Sequence, residues 1–276
     1  MDTTEKALAS LLKKIKKGNA GSRDFAQAEI AINDTAWKAG AGKKMWDIFH
    51  EHYAQREKNK TVIQTKPLYN KIARFYEKEE SRRKLLEIEE GAIRGLLPRK
   101  GTVLDAGCGT GRYCVLLAKR GCKVTGVDFS EEMLKQAKRR SKGLDIAYRI
   151  ADVRRLPYPK SSFDHTICTL VLNHLWDWKK AARELVRVTR PGGSIVISLI
   201  HHERFESGPS KIFPFSKTDK KEVWAEEWCI PLKDLIKTAN CKLTDRKEVS
   251  HPYFTGRLGL PTSKSPFLMI VKLRKR

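Results

Sequence analysis

Glycines and acids at the ends of apolar runs carry the first chemical signal in this sequence. Val103, Leu104, Asp105 and Ala106 lead straight into Gly107, Cys108, Gly109, Thr110 and Gly111, and Asp128 closes the next apolar run, seventeen residues beyond Gly111. Glycine is needed for clearance: a side chain at Gly107, Gly109 or Gly111 would block positive φ or keep the backbone from a ligand. The helix that follows begins with N–H groups that no residue of its own can satisfy, and they point to the same place. Asp128, at the carboxyl end of the second strand, can accept hydrogen bonds from both hydroxyls of a ribose. A dinucleotide fingerprint is G-x-G-x-x-G, whereas here the order is G-x-G-x-G with Arg112 where the third glycine would fall. The chemistry is that of a nucleoside held between two strand tips.

The elements that must hold these residues alternate. Apolar runs predict strands over 102–106, 123–127, 146–150, 165–170 and 194–199, and helical spacing fits 112–120, 131–140 and 179–189. Ser130 followed by Glu131 and Glu132 is a helix N-cap with acids in the first turn. Strands separated by helices argue for a parallel sheet covered on both faces. A helix at 231–238 and strands at 242–249 and 267–273 close the chain. The expected fold is a Rossmann-like three-layer α/β/α sandwich, mostly parallel, with an antiparallel edge strand and a helical N-terminal extension.

The glycine run, Asp128, Asp152 in Ile150-Ala151-Asp152-Val153, Leu156-Pro157-Tyr158-Pro159 through Ser162-Phe163-Asp164, and Pro191-Gly192-Gly193 occur in order. This set resembles the class I S-adenosylmethionine-dependent methyltransferases, in the type 11 branch that includes the ubiquinone and menaquinone C-methyltransferases. The resemblance covers roughly residues 66–200. It implies S-adenosyl-L-methionine as cofactor, with the backbone of Gly107, Cys108, Gly109 and Gly111 beneath its methionine portion. Asp105 would receive the ammonium group directly or through water, Asp128 the ribose, and Phe129 would face the adenine ring. Asp152 resembles the acid that bonds the adenine amino group, with the Val153 N–H beside it. The rival readings make Asp105 and Asp152 caps of strand-to-helix turns, and Phe129 core. Residues 69–77 resemble the Y-D-x-x-A-x-x-Y segment that folds over the cofactor in such enzymes, which makes Tyr69, Arg74 and Tyr76 lid residues. The alternative is a helix whose Ile72, Phe75 and Tyr76 are merely core.

The acceptor should arrive where the fourth strand ends, at Thr169 to Trp176. The Asn/Asp-Pro-Pro-aromatic run used to polarise an exocyclic amine is absent. Cys168 lacks the proline or threonine setting of a cytosine-5 nucleophile, and is expected in the core. Methyl transfer from a sulfonium needs alignment, desolvation and, for a protonated acceptor, a base. His174 has the address of a base or substrate contact, or of a packing residue beside the cofactor. His201 and His202 are expected on the same rim, where an imidazole can take a proton at neutral pH.

The chain has 276 residues with 40% hydrophobic composition, enough for one α/β domain plus an extension. The division read from the sequence is a helical N-terminal extension over 1–65 and a methyltransferase domain over 66–276. Within the latter, the cofactor half lies at about 99–200 and an acceptor-side insertion at about 201–230. Lys58-Asn59-Lys60-Thr61 reads as a polar joint. Residues 7–17 read as a basic amphipathic helix, followed by helices containing Trp37, Trp46, Phe49 and Tyr53. Cys108, Cys114, Cys122, Cys168, Cys229 and Cys241 contain no C-x-x-C pair, which favours packed thiols and no metal site. No apolar run approaches the ~20 residues of a membrane span, and no secretory signal is read, so a cytoplasmic protein is expected. The net charge of +24, spread along the whole chain, fits a solvated surface or phosphate-rich partners. Three functions remain open: a methyltransferase acting on an O, N or C nucleophile of a small molecule, an RNA methyltransferase (tRNA or rRNA) using the basic surface, and a non-catalytic cofactor-binding protein.

Overall fold

In the computed structural model of the protein, the described residues are 60–63, 65–78, 80–175, 177–201, 222–225, 230–252 and 266–276, with Ser10, Lys13, Lys14 and Lys17. The expected helices around Trp37, Trp46, Phe49 and Tyr53, most of the helix at 7–17 and most of the insertion at 201–230, His202 included, lie outside them. In chain order the elements are β1 (Lys60–Ile63), α1 (Thr65–Ile72), α2 (Glu80–Ile93), β2 (Thr102–Ala106), α3 (Arg112–Ala118), β3 (Lys123–Asp128), α4 (Glu131–Arg140) and β4 (Ile146–Ile150). There follow β5 (Phe163–Thr169), a 3-10 turn (Leu172–His174), α5 (Trp178–Val188), β6 (Thr189–Ile200), β7 (Glu222–Ala225), α6 (Leu232–Ala239), β8 (Lys242–Val249) and β9 (Leu268–Arg274).

The main sheet has the order β4-β3-β2-β5-β6-β9-β8. Its first five strands run parallel, and β9 is antiparallel to both β6 and β8. Strand alternation makes two cores. Val103, Ile167, Val196 and Ile270 face one side with Leu85, Leu117 and Leu134, while Leu104, Cys168, Ile197 and Val271 face the other with Trp178, Leu185 and Leu235. Helices α2, α3 and α4 therefore cover one face, and α5 and α6 the other. In α5 the buried Trp178, Ala181, Ala182, Leu185 and Val188 recur at helical spacing, so one stripe serves the sheet. The chain winds outward from β2 to β4 and then returns to β5 on the other side of β2. The switch point between β2 and β5 opens a crevice at the carboxyl ends of the strands.

Two strands start before their apolar runs. β5 starts at Phe163 because Asp164 is held to β2, its Oδ2 accepting from the Thr102 N–H and hydroxyl at 2.8 Å each. β6 runs back through Gly192 and Gly193 because the Gly192 N–H donates to the Lys275 carbonyl and the Lys275 N–H to that of Gly193, 3.0 Å each. Lys60 and Thr61, the end of the expected polar joint, instead belong to a strand, since residues 60–63 pair in parallel with 222–225, with Lys60 opposite Glu222. No described helix is long and apolar enough to cross a membrane.

Candidate functional site

The glycine turn starts level with the end of β3, since Ala106 pairs with Val127. The N–H groups of Gly107 and Cys108 both donate to the Val127 carbonyl at 2.8 Å, which ties the turn to β3. Gly107, Gly109 and Gly111 have φ of +80°, +52° and +77°. Two of them are small so that the protein can pack: a Cβ at Gly107 would lie 2.3 Å from Val171 Cγ2, and one at Gly111 2.9 Å from Ala137 Cβ. A Cβ at Gly109 would meet no atom within 4 Å. Gly109 therefore borders open space at the strand tips, and its missing side chain leaves that space for a ligand.

Three acids surround the cradle in different states. Asp128 accepts the Gly109 N–H on Oδ2 and the Ser130 N–H on Oδ1, both at 2.9 Å, so it anchors the turn as well as facing the crevice. Burial pushes its carboxyl up to about 6 against the pull of those N–H groups. Asp105 is 1% exposed. Its Oδ2 accepts from the Cys114 thiol at 3.2 Å, while its buried Oδ1 has no hydrogen-bond partner. Burial pushes Asp105 up to about 7, the Cys114 bond opposing. An orphaned carboxylate oxygen under the turn suits a cationic group of a ligand. At Asp152 burial would raise the carboxyl, but Arg154 outweighs it and holds it low. The Arg154 N–H and Nε both donate to Asp152 Oδ1 at 2.9 Å, as a turn-capping acid would receive them, and its guanidinium reaches Asp177 at 3.3 Å. Val153 is buried beside them.

Tyr69 of α1 is the centre of an aromatic group. Its hydroxyl is 2.9 Å from His174 Nε2, and its ring lies 5.6 Å from His174, 5.7 Å from Tyr76 and 6.3 Å from the half-buried Phe129. The lid candidate, the adenine-face candidate and the base candidate thus meet at one place. His174 reaches it because Leu170 takes φ of +53° after β5, and the 3-10 turn follows. The Leu170 N–H donates to the Ser198 hydroxyl at 3.0 Å and the Ile200 N–H to Asn173 Oδ1 at 2.9 Å, which fixes this corner to β6. His201, expected on the same rim, is 1% exposed and faces Glu248 of β8 at 3.3 Å. The cause is that its N–H continues the β6-β9 ladder to the Phe267 carbonyl, which aims the ring across the sheet toward β8. Cys168 is buried in the core as expected. Arg74 lines a cleft with Glu77, Thr110 and Arg139.

Several residues outside the expected ligand contacts position the site. The Ser130 hydroxyl caps α4 by accepting the Met133 N–H at 3.1 Å and meets Asn70 Oδ1 at 2.7 Å, so the lid helix is tied to the turn after β3. Glu77 bonds both the Thr110 hydroxyl of the glycine turn and Arg140. Glu89, fully buried, bonds Arg112 at 2.6 Å and the Ser198 hydroxyl. One sequence signal pointed at the last group: an arginine at the start of α3 opposes the helix dipole and needs a carboxylate nearby.

Residues 104–197 match the Methyltransf_11 family, described as a methyltransferase domain. The chain is 34% identical over 142 residues to a malonyl-[acyl-carrier protein] O-methyltransferase of Hamiltonella defensa, covering 51% of this chain and 53% of that protein. It is 39% identical over 103 residues to a demethylmenaquinone methyltransferase of Renibacterium salmoninarum, covering 37% and 43%. The chain spans about half the length of the curated relatives it matches. The crystal structure of an S-adenosylmethionine-dependent methyltransferase from Mesorhizobium loti is similar in fold, with a TM-score of 0.55 at 22% identity over 68% of this chain and 98% of that one.

Proposed function

We propose that this chain, whose residues 104–197 match the Methyltransf_11 family of methyltransferase domains, transfers a methyl group from S-adenosyl-L-methionine to an O, N or C nucleophile of a small molecule. The observation that carries the cofactor is an open Gly109 in the turn that follows β2, together with an orphaned, buried Oδ1 on Asp105 at the end of that strand. When bound, S-adenosyl-L-methionine supplies a methyl carbon already activated by a sulfonium. Asp105 would take the ammonium group, Asp128 the ribose hydroxyls, Phe129 the adenine face, and Asp152 with the Val153 N–H the adenine edge. The small-molecule acceptor is supported by a relative whose name specifies demethylmenaquinone.

The acceptor proton is assigned to His174. Tyr69, hydrogen-bonded to Nε2 at 2.9 Å, orients the ring, and its own ring stands 6.3 Å from Phe129. Imidazole is the side chain that exchanges a proton near neutral pH. Tyr69 and Tyr76 cover this corner and keep water from it, which strengthens alignment. His202 remains the second candidate for the base.

The test is to incubate the protein with labelled S-adenosyl-L-methionine and an extract of its own cells. Label should enter the metabolite fraction; label in RNA or protein instead would overturn the acceptor class, and binding of NAD in place of S-adenosyl-L-methionine would overturn the cofactor. With the acceptor in hand, His174→Gln should keep cofactor affinity within a few fold and lower turnover by roughly 10²-fold. Wild-type turnover across pH 5.5 to 8.5 would remove His174 as the base.

A further inference from the structure

We propose that the cleft between the lid segment and α4 is a binding site for a phosphate-bearing ligand. The cleft holds about 400 Å³ and is lined by Arg74, Glu77, Lys78, Thr110, Arg139 and Arg140, among others. Lys78 and Arg74 come from the chain after α1, Arg139 and Arg140 from the end of α4, and Thr110 from the glycine turn. Four cations therefore face one carboxylate. That carboxylate is already engaged, since both Glu77 oxygens are bonded by Arg140 and Thr110. Glu132, the next acid on α4, is paired with Lys135 at 2.6 Å, and Arg74 and Arg139 act on its carboxyl only through their field. Among the described residues, Arg74, Lys78 and Arg139 share this concavity without an ion pair of their own.

Like charges held together in a hollow repel, and an entering anion relieves that repulsion. A phosphate ester matches better than a carboxylate, because two guanidinium groups and an ammonium offer more donors than two oxygens can use. The volume leaves room for a phosphate or pyrophosphate group together with an organic part. Phe75, 61% exposed, stands on the same segment with the Lys78 ammonium 5.5 Å from its ring centre, and offers a flat apolar face for the ligand's organic part. A ligand bridging Lys78 and Arg139 would add to the Glu77-to-Arg140 tie and hold the lid on the glycine turn. This consequence rests on the cofactor reading above; the site itself does not.

The experiment is titration calorimetry of the full chain with inorganic pyrophosphate at fixed ionic strength. The wild type should bind, the double variant Lys78→Ala, Arg139→Ala should bind at least tenfold more weakly, and a control with Lys233→Ala and Lys237→Ala, on α6 across the sheet, should match the wild type within about twofold. Absence of wild-type binding, or an equal loss in the control, overturns the proposal, the second outcome meaning only a diffuse positive field. Short oligouridylate run in parallel separates the phosphate sources. Tighter binding than pyrophosphate, lost in the same double variant, makes the source a nucleic-acid strand; weaker binding makes it a small ligand. Saturating pyrophosphate should also raise S-adenosyl-L-methionine affinity about fivefold, the low end of ordinary site coupling. Pyrophosphate binding that passes these tests in a protein that binds no S-adenosyl-L-methionine upholds the cleft and overturns the cofactor reading.

Discussion

Substituting alanine at Gly107 and at Gly109 should separate packing from ligand space within one turn. At Gly107, φ of +80° would cost a Cβ about 1–2 kcal/mol, the penalty for a left-handed backbone. Its contact with Val171 Cγ2 at 2.3 Å forces a side-chain or backbone shift, worth about 1–3 kcal/mol more by analogy with overpacked cores. Gly107→Ala should thus lose roughly 3 kcal/mol, a fall in Tm of about 6–12 °C for a chain of this size. Gly109→Ala should lose only the backbone part, about 1 kcal/mol, because nothing lies within 4 Å of its Cβ. Its methyl group instead enters the space assigned to the cofactor, so S-adenosyl-L-methionine affinity should fall by tenfold or more. Urea unfolding of Gly107→Ala, Val171→Ala and the double variant isolates the collision as a coupling energy, expected at about 1–3 kcal/mol. Additive losses would refute the steric account, and a Gly109→Ala protein that binds the cofactor like wild type would refute the ligand space.

The raised carboxyl of Asp105 should make cofactor binding pH-dependent. Burial lifts it to about 7 in the free protein, so the fold favours the protonated acid: its contribution to stability is present below the unfolded value near 3.9 and is lost as pH rises through about 7. A cation beside Oδ1 reverses that preference, so S-adenosyl-L-methionine affinity should climb about tenfold from pH 6 to 7.5, and Asp105→Asn should flatten the rise; equal slopes would show that Asp105 takes no cation. Removing the buried partner of Arg112 should be costly. Glu89→Ala leaves a guanidinium that is 18% exposed with Glu90, at 3.2 Å, as its one acid partner among the described residues, and urea unfolding should show a loss of about 3–5 kcal/mol with little change in m; a loss under 1 kcal/mol would mean the pair positions nothing.

The sequence by itself determined the elements and the order of the cradle. β2, β4, α4 and β8 span the residues that their apolar spacing predicts, and Ser130 caps α4 as its place before Glu131 and Glu132 implies. These features are local, because periodicity, capping and the clearance of a glycine turn act within a few residues. The glycines, Asp105 and Asp128 were legible for the same reason, each lying within five residues of a strand end. What only the tertiary structure decided is which distant residues meet. Tyr69 bonds His174 across 105 positions, Glu77 reaches Arg140 across 63, and Glu89 finds Ser198 across 109. His201 and His174 are both histidines beyond parallel strands, yet the antiparallel β9 ladder draws one toward Glu248 and leaves the other at the crevice. Asp128 serves the turn through Gly109 and Ser130 before any ligand arrives. Side-chain types can be read along the chain, but a hydrogen bond between remote segments depends on the winding of the sheet and the packing of α1 over it.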